Sequence, residues 1–517
     1  MSGILAKQET PSLWRRKAVS SRWRRTIVFL LMVFAFLSAL TITSKQIGRV
    51  CYGNSCGMFG LREMLPKFAP DRAHSNPGDN IVDDRDPIQG HNMAEDAKAS
   101  IRSDDECAHF PDTSNVLILM KTGASEAYSR LPVHLLTMLK CLPNNFLLFS
   151  DMAENIAGHT VYDSLENVLD SVKESNGDFH IYHRQNQCPI AHEQCNRDHD
   201  VGFEGWNLDK YKNVHIAERA YKMRPNYDWY FFIDADTYVS FPTLMDWLPS
   251  VDSNKLHYIG HQKHSGTFPF AHGGSGYLMS KAIMRSMFFG RTGVANKYDE
   301  PTQQGCCGDI MWSEIVLNET GLTPENMWPA INEFKPRTFS YYEDQWCQPI
   351  ITLHHVNGEE INDLYAFEKE QKFAHRITIK DVYNQFVAAH LQEVQPDWDN
   401  ESEDVYYLDG EAREYEESEL DKAKKEDLSD QEREAHKSHS DCRAACEAQE
   451  DCFQWRYRKG ICGLSYKKFK HGTAVKRDDD DSQRAFSGWD MKRIKKWINE
   501  QGDCDGPYQW RVQDNKE

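Results

Sequence analysis

Residues 229–239, WYFFIDADTYV, place Asp234 and Asp236 at the end of an apolar run rich in aromatics. Such a run reads as a buried strand of an α/β sheet, and ligands of open α/β sheets gather at the carboxyl ends of strands. Two carboxylates in D-x-D spacing at that position suit a hard divalent cation, Mg²⁺ or Mn²⁺, which takes one or two carboxylates and completes its shell with water and substrate phosphates. The chemistry implied is work on a nucleoside diphosphate. The same spacing recurs at Asp84 and Asp86, Asp198 and Asp200, Asp478 and Asp480, Asp479 and Asp481, and Asp503 and Asp505, each in polar or glycine-flanked sequence that predicts a solvated loop. The competing reading of Asp234 and Asp236 is an acidic turn that caps a helix starting near Pro242.

The amino-terminal sequence sets the expected compartment. Residues 26–43, TIVFLLMVFAFLSALTIT, form an uncharged and mostly apolar stretch of about 18 residues, near the lower end of a membrane-spanning length. Lys7, Arg15, Arg16, Lys17, Arg22, Arg24 and Arg25 precede it, and only Lys45 and Arg49 follow closely. The positive-inside rule then puts residues 1–25 in the cytoplasm and the rest of the chain in the lumen, as a type II signal anchor in the Golgi or endoplasmic reticulum membrane. A cleaved signal peptide is the rival reading, but its apolar region is shorter and ends at small residues, unlike TITSKQ.

Fourteen cysteines, none in C-x-x-C spacing, suit disulfides in an oxidising compartment better than zinc sites. The sequons at Asn318 and Asn400 are usable in that compartment, so a glycoprotein is expected. A length of 517 residues with 40% hydrophobic content supports a large core and more than one domain. The formal net charge of -19 excludes nucleic acid as the expected partner.

Along the luminal part, residues 44–112 are polar and proline-bearing and read as a stem. Order is expected from Asn115, where NVLILMKTG is a buried strand running into Lys121, Thr122 and Gly123. A helical pattern over 130–141 and a second strand at 145–150 follow. This is the opening of a Rossmann-like half. The turn at Gly123 is either a nucleotide contact or an ordinary strand-to-helix turn. Residues 206–223, WNLDKYKNVHIAERAYKM, have helical spacing and lead into the D-x-D strand. HYIGHQ at 257–262 is another short strand, and FAHGGSGYLM at 270–279 is either a donor-binding loop or a plain glycine turn. Residues 396–440 are dominated by acidic side chains and read as a linker or solvated helix. Cys442, Cys446, Cys452 and Cys462, with Trp455, Tyr457 and Trp489, predict a small stapled module at 441–490, followed by a tail at 491–517.

Taken in order, KTG at 121–123, WNLDKYKN at 206, FFIDADTYV at 231, HGGSGYLMS at 272, CCGDIMWSE at 306 and TLHHV at 352 resemble glycosyltransferase family 31, of the fringe and core 1 β-1,3-galactosyltransferase type. The resemblance covers about residues 115–393. It implies a GT-A type Rossmann-like α/β fold over 113–395, a uridine diphosphate sugar donor, Mn²⁺ (or Mg²⁺), and transfer with inversion. It implies that Asp236 binds the metal directly, that Asp234 contacts ribose or metal-bound water, and that His354 is the third metal ligand. Because adjacent strand residues face opposite ways, His354 and His355 are not both expected to reach the metal. Lys121, Thr122, Gly123, Lys210, Asp234 and Gly274 are the implied donor contacts. Asp309 is the implied general base, with Glu314 as the alternative because the glycine precedes Asp309 instead of following it. Cys306 or Cys307 is implied to form a disulfide that shapes this loop. The carboxyl-terminal cluster resembles a PAN or Apple module, a class that binds protein or carbohydrate.

These readings converge on an inverting, luminal β-1,3-glycosyltransferase, with galactose the favoured donor sugar and a glycoprotein or glycan acceptor. The alternatives are a β-1,3-N-acetylglucosaminyltransferase, and a glycan- or protein-binding membrane protein built on an inactive transferase fold.

Overall fold

The computed structural model describes residues 105–188, 190, 192–409, 415–480, 483–504, 508 and 510. The expected cytoplasmic tail, the span at 26–43 and most of the stem lie outside these residues. Among the described residues no helix is long and apolar enough to cross a membrane.

The D-x-D stretch is the strand Trp229–Asp234, near the middle of an eight-stranded sheet. The strand order is Glu325–Asn326, Tyr258–Gly260, Tyr277–Ser280, Trp229–Asp234, Val116–Lys121, Phe146–Ser150, His159–Asp163 and Glu154–Ile156. Val116–Lys121 pairs in parallel with both Trp229–Asp234 and Phe146–Ser150, and the latter pairs in parallel with His159–Asp163. Tyr277–Ser280 runs antiparallel to both of its neighbours. This is a mixed α/β architecture with a mostly parallel central sheet, consistent with the Rossmann-like transferase fold that the resemblance implies.

Burial on both faces explains the unbroken apolar runs. Ile118, Met120, Phe231 and Ile233 point into one core with Leu131 and Leu139, whereas Leu117, Leu119, Tyr230 and Phe232 point into another with Ala217, Ile283 and Trp312. The second core is closed by the helices Lys212–Met223, Lys281–Phe288 and Gly308–Thr320. The helical pattern expected over 206–223 is two helices, Val201–Asp209 and Lys212–Met223, broken at Lys210 and Tyr211. The helix expected near Pro242 is Phe241–Trp247, with Ser240 as its cap and Pro242 in its first turn.

The structure differs from the expected segment limits at three places, each for a packing reason. Residues 105–112 are already part of the fold, because Cys107 is bonded to Cys141 and the Phe110 ring lies 5.3 Å from that of Phe241 and 5.1 Å from that of Phe373. The acidic stretch 396–440 contributes the strand Val405–Leu408 to a five-stranded antiparallel sheet with Ile461–Tyr466, Cys452–Arg458, Phe486–Trp489 and Gln395–Pro396. The stretch 491–517 begins with the helix Met491–Gln501, whose Ile494 and Trp497 are buried. Cys504 just beyond that helix is bonded to Cys347. Cys442–Cys462 and Cys446–Cys452 are internal staples of the small sheet, as their spacing suggests. Phe453, Phe469, Trp489 and Trp497 belong to the same core as Tyr341, Trp346 and the central sheet. Apart from Ser265–Phe268, the described residues cluster as one compact unit.

The two sequons also differ. Asn318 is exposed, but Asn400 is fully buried and donates its amide to the carbonyls of Trp455 and Gly488. A glycan on Asn400 is incompatible with this packing.

Candidate active site

The parallel register sets Lys121 beside Asp234 at the carboxyl ends of adjoining strands. The turn that follows is held by backbone. Ala235 N–H donates to Lys121 O, Thr237 N–H to Asp234 O, and Val356 N–H to Asp236 O, at 2.9, 3.0 and 3.0 Å. Beneath it, the buried His134 imidazole meets Ala235 O at 2.8 Å, and burial lowers its pKa to about 4. The neutral ring can therefore act as a fixed donor between the two aspartates.

Asp236, His354 and His355 each bring one potential metal-ligating atom within 4.8 Å of the other two. Asp236 approaches Nδ1 of His354 at 3.3 Å and Nδ1 of His355 at 3.9 Å. The expectation that adjacent histidines face opposite ways is corrected here. The strand ends at Leu353, and His355 adopts φ 60°, so the two rings lie 3.9 Å apart on the same side. His354 is buried, whereas the His355 side chain is 65% exposed. Burial tends to raise the Asp236 pKa, but the bond and charge of His354 outweigh it and pull the carboxyl down to about 2. A carboxylate with imidazoles is a donor set that accepts Mn²⁺ as well as softer cations.

A cavity of about 900 Å³ opens on this cluster. Lys121, Thr122, Gly123, Asp234, Asp236, Gly274, Asp309 and His354, all singled out from the sequence, line it. Asp309 stands in the first turn of the helix Gly308–Thr320, where its carboxylate accepts from Gly273 N–H at 3.1 Å and from its neighbour Ile310 N–H at 2.9 Å. Burial raises its pKa against the lowering effect of those bonds, which suits a carboxylate that must take a proton. Cys306 and Cys307, just before this helix, are bonded to each other.

Two expected residues are not at the cavity wall. Glu314 is half-buried and lies five residues past Asp309, roughly 140° around the helix, so it points away from the cavity. Lys210 sits at the helix break, where its ammonium turns to Asp178 at 2.8 Å and to Gly305 O at 3.2 Å. Lys212, two residues on, lines the cavity instead.

Lys212 belongs to a chain of alternating charges that sequence reasoning missed. Lys121 Nζ lies 2.9 Å from both Asp234 and Asp209, and Lys212 Nζ lies 2.5 Å from Asp151 and 3.6 Å from Asp209. Burial opposes the charge on both lysines, but the flanking carboxylates prevail and raise both pKa values. The signal was present in WNLDKYKN, where Asp209 and Lys212 stand three residues apart. The half-exposed Trp206 on the cavity rim is a further lining residue not singled out beforehand.

A cavity at the carboxyl ends of parallel strands, walled by a carboxylate and histidine cluster on one side and a buried carboxylate on the other, defines an α/β protein with an arrangement suited to group transfer. Residues 112–319 match the family described as Fringe-like, of glycosyltransferase family 31 type. Among curated proteins, none matches the chain.

Proposed function

We propose that this protein is an inverting β-1,3-glycosyltransferase that uses a uridine diphosphate sugar, most simply the galactose derivative, and a divalent cation, Mn²⁺ or Mg²⁺, to extend a glycoprotein or glycan acceptor. The observation that carries this reading is the meeting of Asp236, His354 and Asp309 at one cavity within a Fringe-like segment. The proposed setting is the lumen of the Golgi or endoplasmic reticulum, with residues 26–43 as the anchor and the carboxyl-terminal sheet as a PAN- or Apple-like module for the acceptor.

Asp236 and His354, with His355 within reach, would hold the cation, and Asp234 would contact ribose or cation-bound water. A bound cation supplies charge for the departing diphosphate. Lys121 adds a fixed positive charge beside Asp234 and, with Thr122 and Gly123, forms the wall suited to the nucleotide. Asp309 takes the proton of the acceptor hydroxyl as its oxygen bonds to the anomeric carbon. The bond from that carbon to the phosphate oxygen breaks on the opposite face, and the nucleoside diphosphate leaves with the electron pair. General-base assistance of this kind contributes roughly 10²- to 10⁴-fold.

The test is cation-dependent hydrolysis of a panel of nucleotide sugars by the purified protein, followed by transfer to β-linked product with the preferred donor. Hydrolysis of none, with and without Mn²⁺, would sink the reading in favour of a binding protein.

A further inference from the structure

A second group of ligand-type side chains lies next to the Asp236 cluster and is not needed by the transfer chemistry. His261 follows the strand Tyr258–Gly260, and the returning chain brings His272 beside it, with His272 N–H donating to His261 O at 2.9 Å. Glu333 joins them from the loop before Phe334. One potential ligand atom each from His261, His272 and Glu333 lies within 4.8 Å of the other two.

The His261 side chain is not simply filling space. The residue is only 8% exposed, its ring is stacked 4.6 Å from that of Trp328, and its Nδ1 is enclosed without a hydrogen-bond partner. An orphaned buried ring nitrogen is costly unless something binds it. Glu333 pairs with Lys263 through Oε2, 2.6 Å away, which leaves its other oxygen available. Ser275 meets Nδ1 of His272 twice, through Oγ at 2.8 Å and the backbone N–H at 3.2 Å. Nδ1 here accepts from the Ser275 N–H, so taking a cation on Nε2 requires the ring to move its proton to Nδ1 and give up that bond, with Oγ of Ser275 placed to accept the proton in its stead, as the outer partner of a metal-bound histidine does.

We propose that His261, His272 and Glu333 form a second divalent-cation site, distinct from the Asp236 cluster. Two imidazoles and one carboxylate favour Zn²⁺ and its borderline relatives over Mg²⁺ or Ca²⁺, with water in the remaining position. The site has a lever on the cavity. His272 begins the loop whose Gly273 N–H bonds Asp309 and whose Gly274 O accepts from Thr237 Oγ1 at 2.7 Å, beside His354. A cation on His272 fixes that loop and, through it, the orientation of both Asp309 and His354.

The experiment is a titration of the full chain with Co²⁺ and with Zn²⁺, read by visible absorption and by bound metal per chain, with neither donor nor acceptor present. Two equivalents are expected for the wild type. Asp236→Ala should keep one of them, with its Co²⁺ absorption. Glu333→Gln and His261→Gln should weaken that equivalent at least tenfold while Mn²⁺ binding at the Asp236 cluster, read by electron paramagnetic resonance, persists. Glu333 is partly exposed, so its variant keeps the test valid where His261→Gln unfolds. One equivalent in the wild type, or a second equivalent unchanged in Glu333→Gln, would overturn the proposal. Because the readout is binding alone, either result leaves the transferase reading to its own test.

Discussion

Gly274 lies against the His354 imidazole so closely that a Cβ on the glycine would stand 2.1 Å from Nε2. No L side chain fits there without moving the ring. Gly274→Ala is therefore expected to displace His354, weaken cation binding by an order of magnitude or more, and abolish transfer, while the sheet and its melting temperature change little. Calorimetric Mn²⁺ titration of the variant checks this. Undiminished binding would mean that His354 does not hold the cation.

The two histidines next to Asp236 differ in setting, and their variants should differ in effect. His354 is buried between Thr237 and Asp236, whereas His355 is largely exposed and more distant from the carboxylate. Asp236→Ala should reduce turnover to background. His354→Ala should raise the Mn²⁺ requirement strongly, and His355→Ala by about tenfold or less, the range of a supporting contact. The reverse ranking would identify His355 as the principal ligand.

Asp309→Asn should retain donor affinity and lose about 10²- to 10⁴-fold in turnover, since an amide keeps the shape but cannot accept a proton. Glu314→Gln should be nearly silent, because its side chain is outside the cavity lining. Burial raises the Asp309 pKa, so the base is active when deprotonated above that raised value. Transfer should fall as pH drops through it, at a higher pH than for an ordinary aspartate. A pH–rate profile with an acid limb at or below the ordinary aspartate value would transfer the role elsewhere.

The parts of this architecture that were legible in the sequence are those set by local patterning. The strands at 116–121, 146–150 and 229–234 are continuous apolar runs because both faces are buried, and the cavity lies at their carboxyl ends for the reason that all such sheets share. Asp234, Asp236, Asp309 and His354 were legible through motif order. What was not legible depends on three-dimensional context. The left-handed backbone at His355 puts two neighbouring rings on one side, and the break at Lys210 exchanges that lysine for Lys212 at the wall. The acidic stretch 396–440 looks solvated because most of its described charges face water, yet Glu432, Tyr406 and Tyr407 are buried against the small sheet.

Glu368 provides a stability test independent of catalysis. It is fully buried, and it accepts hydrogen bonds from Tyr238 and Ser240 just behind the D-x-D turn. Burial outweighs these bonds and raises its pKa from 4.5 to about 7. An acid with a raised folded-state value favours the fold while protonated, so its contribution is complete below about 4.5 and is lost as pH rises through about 7. The loss is at most about 3 kcal/mol. Glu368→Gln, a neutral mimic of the protonated acid, should lie close to wild type near pH 5 and become the more stable of the two by pH 8. Parallel melting curves across that range would show that Glu368 does not titrate in this window.

Removal of the carboxyl-terminal part separates an appended binding module from a piece of the core. The cysteine spacing alone suggests an appendage whose loss would spare transfer to a small acceptor. The packing argues otherwise. Trp497 meets Trp346 at 5.1 Å and Phe469 at 5.8 Å, while Tyr341 stacks on Phe469 at 5.4 Å. Cutting before residue 435 would expose Trp346, Tyr341 and Tyr383 together and break the Cys347–Cys504 bond. Exposing one buried aromatic of this size costs about 3 kcal/mol or more, and a native disulfide contributes typically about 2–4 kcal/mol, so the sum is comparable to the whole stability of a domain. The truncated protein is therefore expected to melt far lower, or not to fold, and to lose small-acceptor activity together with glycoprotein activity. Cys504→Ser, which opens only the disulfide, should give an intermediate melting temperature with activity retained. If the truncated form instead keeps its melting temperature and its small-acceptor rate while losing only the large acceptor, the carboxyl-terminal part is a separable recognition module that merely leans on the transferase core.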